Sequence, residues 1–380
     1  MLTKLGDVAT YVNGYAFKPT DWSDTGLPII RIQDLTGNAY KANRYNGKYD
    51  KKYEVNRGDI LVSWSASLGV YVWSGEKAVL NQHIFKVIFN KVDVNPVFFM
   101  YQAQNVLENA ISQAHGATMK HLTKPVFDAL PFDLPQAAEQ QRIAAVLDKV
   151  TTLISLRRQQ LTKLDGLVRS RFTEMFGDPE ANTMHWNRMP LSVCLNSIDH
   201  GKSFVCGALA RTGDMPAVLK LSAATYGVYR SEENKVILDE AQFVQDAEVQ
   251  KGDLLFTRKN TPELVGMCAY VYDTPNRLMM PDLLFRLNTN EQCSKIFLWK
   301  LINHDLFRSR IQSIATGTAK SMSNISKERL MHLRIILPPL RLQEQFAAFV
   351  YATEKSKSAV QQSLNQLELL KKSLMQQYFG

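Results

Sequence analysis

Two short runs in the chain carry residue types that suit the reading of nucleic-acid bases. Arg258-Lys259-Asn260-Thr261 follows the apolar segment opened by Lys251-Gly252-Asp253, and Ser63-Trp64-Ser65 follows the one opened by Arg57-Gly58-Asp59. Gly-Asp ahead of Ile60-Leu61-Val62 or Leu254-Leu255-Phe256 is turn chemistry that feeds a buried strand. Both runs are therefore expected as polar loops at one place in two related folds. Arg and Lys address guanine edges and phosphates, and Asn and Gln address adenine. Further candidates of the same kind are Tyr15, Lys18, Arg31, Gln33, Asn81-Gln82-His83 and Lys120-His121 in the first half, and Lys202, Lys220, Lys320 and Asn324 in the second. The bland alternative for each, taken singly, is a solvated surface residue.

Catalytic constellations fare worse. HExxH, GxSxG and a phosphate-binding P-loop do not occur, and the seven histidines are scattered. Asn95-Pro96-Val97-Phe98 approaches the Asn/Asp-Pro-Pro-Tyr/Phe run that holds a flipped adenine, but the second proline is missing and the segment opens an apolar helix pattern. No glycine-rich loop for S-adenosylmethionine follows a strand. A nuclease of the Pro-Asp…(Asp/Glu)-x-Lys kind fails too, because Glu233-Asn234-Lys235 lies upstream of Pro281-Asp282. The expectation is a chain without catalysis of its own and without a metal.

The elements that must position the loops are written twice. The offset that carries Phe176-Gly177 onto Phe379-Gly380 also carries Gln140 onto Gln343 and Ala144-Ala145 onto Ala347-Ala348. Each copy opens on a short amphipathic piece, Leu5 to Ala9 or Leu191 to Leu195, then a glycine with a phenylalanine three residues on, Gly14/Phe17 or Gly201/Phe204. Strand patterns follow: Leu27 to Ile32 against Met215 to Leu221, the two Gly-Asp strands, and Ile84 to Phe89 against Leu283 to Leu287. Next come an aromatic-rich helix pattern, Pro96 to Asn105 against Ile296 to Asn303, and a glycine-centred loop, His115 to Lys120 against Thr316 to Lys320. A short strand then leads to proline at the start of a long helix, where a missing N–H does no harm.

Those long helices carry heptad seams. Ile143, Leu147, Val150, Ile154, Arg157, Leu161, Leu164, Val168, Arg171 and Met175 alternate at spacings of four and three. The second copy gives Phe346, Val350, Thr353, Lys357, Val360, Leu364, Leu367, Lys371, Leu374 and Tyr378. Each stripe is too narrow to be stable alone, so the two are expected to pair over about 32 residues, or about 48 Å. Arg157 and Lys357 would face each other in a parallel pair, which favours an antiparallel one with a globule at each end. The expected fold class is α+β: two α/β recognition domains, 1–135 and 178–338, separated by helices over 136–177 and 339–380 that pair as an antiparallel coiled coil with internal pseudo-two-fold repeat.

Bulk properties agree. The net charge of +9 favours a polyanionic partner. Cys194, Cys206, Cys268 and Cys293 form no CxxC, so a reducing cytosol is the simplest home. No signal peptide or membrane-spanning window is visible.

The chain resembles the DNA-specificity (S) subunit of Type I restriction-modification systems. The resemblance rests on Pro135-x-x-x-Glu139-Gln140-Gln141-Arg142-Ile143-Ala144 and Pro339-Leu340-Arg341-Leu342-Gln343-Glu344-Gln345-Phe346-Ala347, with the Phe-Gly helix endings and Gly-Asp strands. It covers essentially the whole chain. It implies two target-recognition domains, each reading half of a bipartite double-stranded DNA site. It implies paired helices that fix the gap between half-sites and dock two methyltransferase (M) subunits. Those subunits would bring S-adenosylmethionine, and restriction (R) subunits, where present, ATP and Mg. It further implies a cytoplasmic protein of a bacterium or archaeon, and the repeat ending at Gly380 suggests a full subunit. The alternatives to weigh are a self-contained DNA adenine methyltransferase or nuclease, and a coiled-coil scaffold with no DNA role.

Overall fold

The computed structural model describes residues 1–37, 43–113, 122–204, 206–317 and 322–380. The chain divides into two compact units, Met1–Gln159 with Gln361–Gly380, and Gln160–Val360. Each unit is built on the same framework.

In the first unit an antiparallel sheet has the strand order Thr10–Asn13, Ile84–Ile88, Ile60–Ser63, Gly69–Val72. In the second unit the order is Leu195–His200, Leu284–Thr289, Leu254–Thr257, Cys268–Tyr270. A second sheet in each unit is built around one parallel pair, Leu27–Ile30 beside Ala78–Leu80 and Ala217–Leu219 beside Leu278–Met279. The central strands Ile60–Ser63 and Leu254–Thr257 are buried at every position. Apolar side chains on both faces explain why they read as continuous runs rather than alternating ones.

The two Gly-Asp turns match in detail. Gly58 and Gly252 both have positive φ, +94° and +90°. Asp59 Oδ2 accepts from the Asn56 amide and Asp253 Oδ2 from the Gln250 amide, each at 2.8 Å. Each carboxylate also meets a cation on the neighbouring strand, Lys86 at 2.8 Å and Arg286 at 2.9 Å. Asp in this motif therefore closes the turn and neutralises a half-buried base. Gly14 and Gly201 match as well: a Cβ there would lie 2.0 Å from the Asn81 carbonyl oxygen and 2.1 Å from that of Met280. Only glycine lets the backbone pass so close.

Three expected elements differ. The strand over Met215 to Leu221 covers only Ala217–Leu219, and Leu221–Ala223 forms a 3-10 turn. The strand over Leu27 to Ile32 stops at Ile30, and Ile32–Leu35 forms one helical turn, because the Arg31 amide donates to Asp34 Oδ2 at 2.8 Å and caps it. The helix begun at Pro96 runs to Gln113, past Asn105, with Leu107 buried beneath it.

The long helices span Ala137–Phe176 and Leu340–Phe379. A buried glutamine anchors the start of each. Gln140 Oε1 accepts from the Asn95 amide at 2.9 Å, and its Nε2 donates to the Pro135 carbonyl at 2.8 Å. Gln343 repeats both bonds, with the Ser294 amide at 2.9 Å and the Pro338 carbonyl at 2.8 Å, and adds the Gln292 carbonyl at 3.1 Å. The amide thus ties the long helix to the N-terminus of the aromatic-rich helix, which satisfies backbone groups that would otherwise be orphaned. Gly177, at φ +74°, ends the first long helix in the left-handed conformation.

Within each unit the two helices run antiparallel. In the first, Ile143 and Leu147 share a core with Leu374 and Tyr378. Arg157 Nε donates to Ser363 Oγ at 3.2 Å, and Arg158 pairs with Glu368 at 2.6 Å. In the second, Val168, Phe172 and Phe176 share a core with Phe346 and Val350, and Lys357 reaches Asp165 at 2.6 Å. Ile143, Leu147, Val150, Ile154, Val168, Phe346, Val350, Thr353, Val360 and Leu364 are buried; Leu161, Leu164, Leu367 and Leu374 are half-buried. The seam cations Arg157 and Lys357 are half-buried, and each has an oxygen partner inside its own unit. No helix among the described residues is long and apolar enough to cross a membrane.

Candidate nucleic-acid interface

In the first unit, backbone bonds gather the polar candidates where strands end. The Tyr15 amide donates to the Leu80 carbonyl at 2.8 Å, the Gln82 amide to the Tyr15 carbonyl at 2.8 Å, and the Trp64 amide to the His83 carbonyl at 3.3 Å. Trp64 stacks on Phe85, with centroids 5.5 Å apart and planes at 21°, and its Nε1 donates to Asn13 Oδ1 at 3.2 Å. His83, at φ +73°, turns its ring toward Trp64, 5.0 Å away. The Asn81 amide donates to the Ile30 carbonyl at 3.1 Å, which brings the Arg31 end of the second sheet alongside. The Arg31 guanidinium lies 5.4 Å from the Trp22 ring. Burial raises the pKa of Asp34 above the ordinary range, against the lowering effect of the Arg31 amide and charge. Gln33 sits half-buried in the short turn, and Lys18 is exposed, its amide capping the next turn through Asp21 Oδ2 at 2.7 Å.

The second unit repeats this layout with other side chains. The Lys202 amide donates to the Met280 carbonyl at 3.1 Å, and the Arg258 amide to the Leu283 carbonyl at 3.0 Å. Arg258 thus occupies the place of Trp64, and its guanidinium rests 5.0 Å over Phe285, as Trp64 rests on Phe85. Its Nη2 donates to Asn324 Oδ1 at 3.3 Å. Lys259 Nζ stands 3.8 Å from Asp282, and Lys220 Nζ 3.7 Å from Glu233.

Several expectations are corrected. Lys259–Asn260 is not loop but a two-residue strand paired with Ser323–Asn324. Asn260 is consequently 7% exposed, with Nδ2 donating to Thr225 Oγ1 at 3.1 Å and Oδ1 accepting from the Thr261 amide at 2.8 Å. Ser63 is fully buried, with Oγ donating to the Ser65 carbonyl at 3.1 Å. Both residues hold the framework and present no edge to a ligand; Ser65 itself is half-buried. Lys120, His121 and Lys320 lie outside the described residues. Asn13, Ser203 and Asp282 stand among the gathered side chains but were missed. Aligning Phe85 with Phe285 places Asp282 opposite Gln82, a signal already present in the sequence.

Two copies of one framework, showing different side chains at matched positions, define a recognition scaffold with two readers. Comparison with known proteins gives the class its family. Residues 1–165 and 198–369 match the Type I restriction modification DNA specificity domain. The Type I restriction enzyme MjaVIII specificity subunit of Methanocaldococcus jannaschii is 22% identical over 98% of this chain and 90% of its own. The EcoKI specificity subunit of Escherichia coli K12 is 22% identical over 100% and 88%. The EcoBI specificity subunit of Escherichia coli is 28% identical over 43% of this chain, and that match spans 35% of the relative's length. Among solved structures, the Type-I restriction-modification S subunit from M. genitalium is similar in fold, with TM-score 0.59, 14% identity, and 99% and 94% of the two chains covered. The chain belongs to the family of Type I restriction-modification DNA specificity domains, whose role is recognition of DNA sequence for a restriction-modification system.

Proposed function

We propose that this chain is the non-catalytic reader of a Type I complex, in which each domain reads one half of a bipartite double-stranded DNA site. The paired helices set the gap between the halves and dock two methyltransferase subunits. Those subunits carry S-adenosylmethionine and flip the adenine; restriction subunits, where present, bring ATP and Mg. The observation that carries this reading is the pair Trp64 and Arg258. Identical backbone contacts and equivalent phenylalanines hold two side chains of unlike recognition chemistry. A framework kept constant under readers that differ is what an asymmetric split site requires.

Binding of the chain with its methyltransferase subunits to DNA, followed against salt, tests the reading. Neutralised phosphates give a steep fall of log K with log salt. A flat slope, or no binding with both subunits present, refutes a DNA role. Methyl transfer by the purified chain alone would instead favour a self-contained enzyme.

A further inference from the structure

Asp282 is the anomaly of the second reader. It places a carboxylate near Lys259, on an edge that also carries Lys202 and Arg258, charged groups that suit phosphate. Its Oδ1 accepts from Ser203 Oγ at 2.5 Å, and the Ser203 Oγ accepts from the Asp282 amide at 3.2 Å. Lys259 Nζ stays 3.8 Å from Oδ2, beyond a hydrogen bond. The side chain is 43% exposed. So one oxygen fixes the rotamer, while the other makes only the long ion pair with Lys259 and, on a partly exposed side chain, can still accept a hydrogen bond. A carboxylate repels phosphate, which rules out a backbone-positioning role for it. An acceptor-only group held rigidly on a DNA-reading edge matches one base feature best, the N4 amino donor of cytosine in the major groove.

The place in the framework supports this. Asp282 immediately precedes Leu283, whose carbonyl accepts from the Arg258 amide; Gln82 immediately precedes His83, whose carbonyl accepts from the Trp64 amide. Asp282 and Gln82 are therefore the same position of the two readers, and Gln is the type that pairs with adenine.

We infer that Asp282 is a specificity-determining residue that reads a cytosine in the half-site of the second domain, with Ser203 as its positioning residue. The inference rests on the two-reader function proposed for the chain. Its test is sequencing of the methylated motif in cells that carry the full chain with the methyltransferase subunits of its system. If the unaltered chain directs no bipartite motif, the two-reader function itself fails, before any variant is compared. Given such a motif, Asp282→Ala is expected to lower the cytosine preference at one position of one half-site by roughly ten-fold, and Asp282→Asn to move that position toward adenine. The other half-site stays unchanged. A uniform change in methylation at all sites with base preferences intact would assign Asp282 to charge balance and overturn the inference, as would altered preference in both half-sites. Should either variant lose its fold by thermal unfolding, Asp282→Glu keeps the charge and displaces the acceptor. It should relax the same single position, and an unaltered motif would count against the inference.

Discussion

Trp64 and Arg258 differ in what they can say to a base. A tryptophan stacked on Phe85 offers a flat apolar face and one N–H already directed at Asn13, whereas Arg258 holds a planar fork of donors over Phe285. Replacing Arg258 by Ala should weaken or relax only the half-site of the second domain, by about 1–3 kcal/mol for a bidentate guanine contact, in binding assays on single-base site variants. Equal losses at both half-sites would contradict that role. The repeated glutamines make a different residue-scale claim. Gln343→Ala removes partners from the half-buried Ser294 amide, the buried Pro338 carbonyl and the Gln292 carbonyl, and should cost about 1–3 kcal/mol in thermal unfolding. Gln345→Ala, exposed two residues on, should change stability by less than about 0.5 kcal/mol. The sequence marked Gln140 and Gln343 as repeated but gave no role, because their partners come from the start of a different helix. Ser63 and Asn260 were misread for the mirror-image reason. Polar residues after a strand look like loop until a distant partner such as Ser323–Asn324 extends the ladder over them.

At the scale of elements, the long helices were the most legible part of the chain. A narrow seam with cations at Arg157 and Lys357 leaves few stable pairings, and the antiparallel one provides each cation with an oxygen partner, Ser363 and Asp165. The short strands were legible through Gly-Asp turns and proline exits. The turn at Ile32–Leu35 was not, since it depends on a side-chain cap from Asp34 rather than on apolar patterning. Each recognition domain is also fixed to a helix by an equivalent contact of unlike chemistry. Tyr101 Oη donates to Thr151 Oγ1 at 2.9 Å, and Lys300 Nζ lies 3.3 Å from Glu354, where burial pushes the amine's pKa down. If the helices act as the spacer, inserting four residues beside Ser155 adds slightly more than one turn, about 6 Å, and turns the following seam by only about 40°, a stutter that local unwinding of the coil absorbs. The methylated motif should then show a gap longer by about one to two base pairs with both half-sites unchanged. A changed half-site with an unchanged gap would remove the helices from the spacer role.

For the molecule as a whole, the duplication makes a claim that neither residue nor helix can make alone. The matched parts are those with a fixed internal partner: the Gly-Asp turns, the close-approach glycines Gly14 and Gly201, and the buried glutamines. The unmatched parts are the side chains left over at the strand ends, Tyr15 against Lys202, Trp64 against Arg258 and Gln82 against Asp282. If stability depends on the shared residues and recognition on the others, exchanging one reader for the other should change what is read without unfolding the chain. A chain in which 178–338 is replaced by a second copy of 1–135 keeps a glutamine-anchored start and a Phe-Gly end for each long helix. It is expected to direct methylation to a site whose two halves carry the same bases, seen by methylome sequencing. Thermal unfolding must first show the exchanged chain to be folded. A folded exchange that still reads the original second half-site would place recognition outside the domains, in the helices or in the partner subunits.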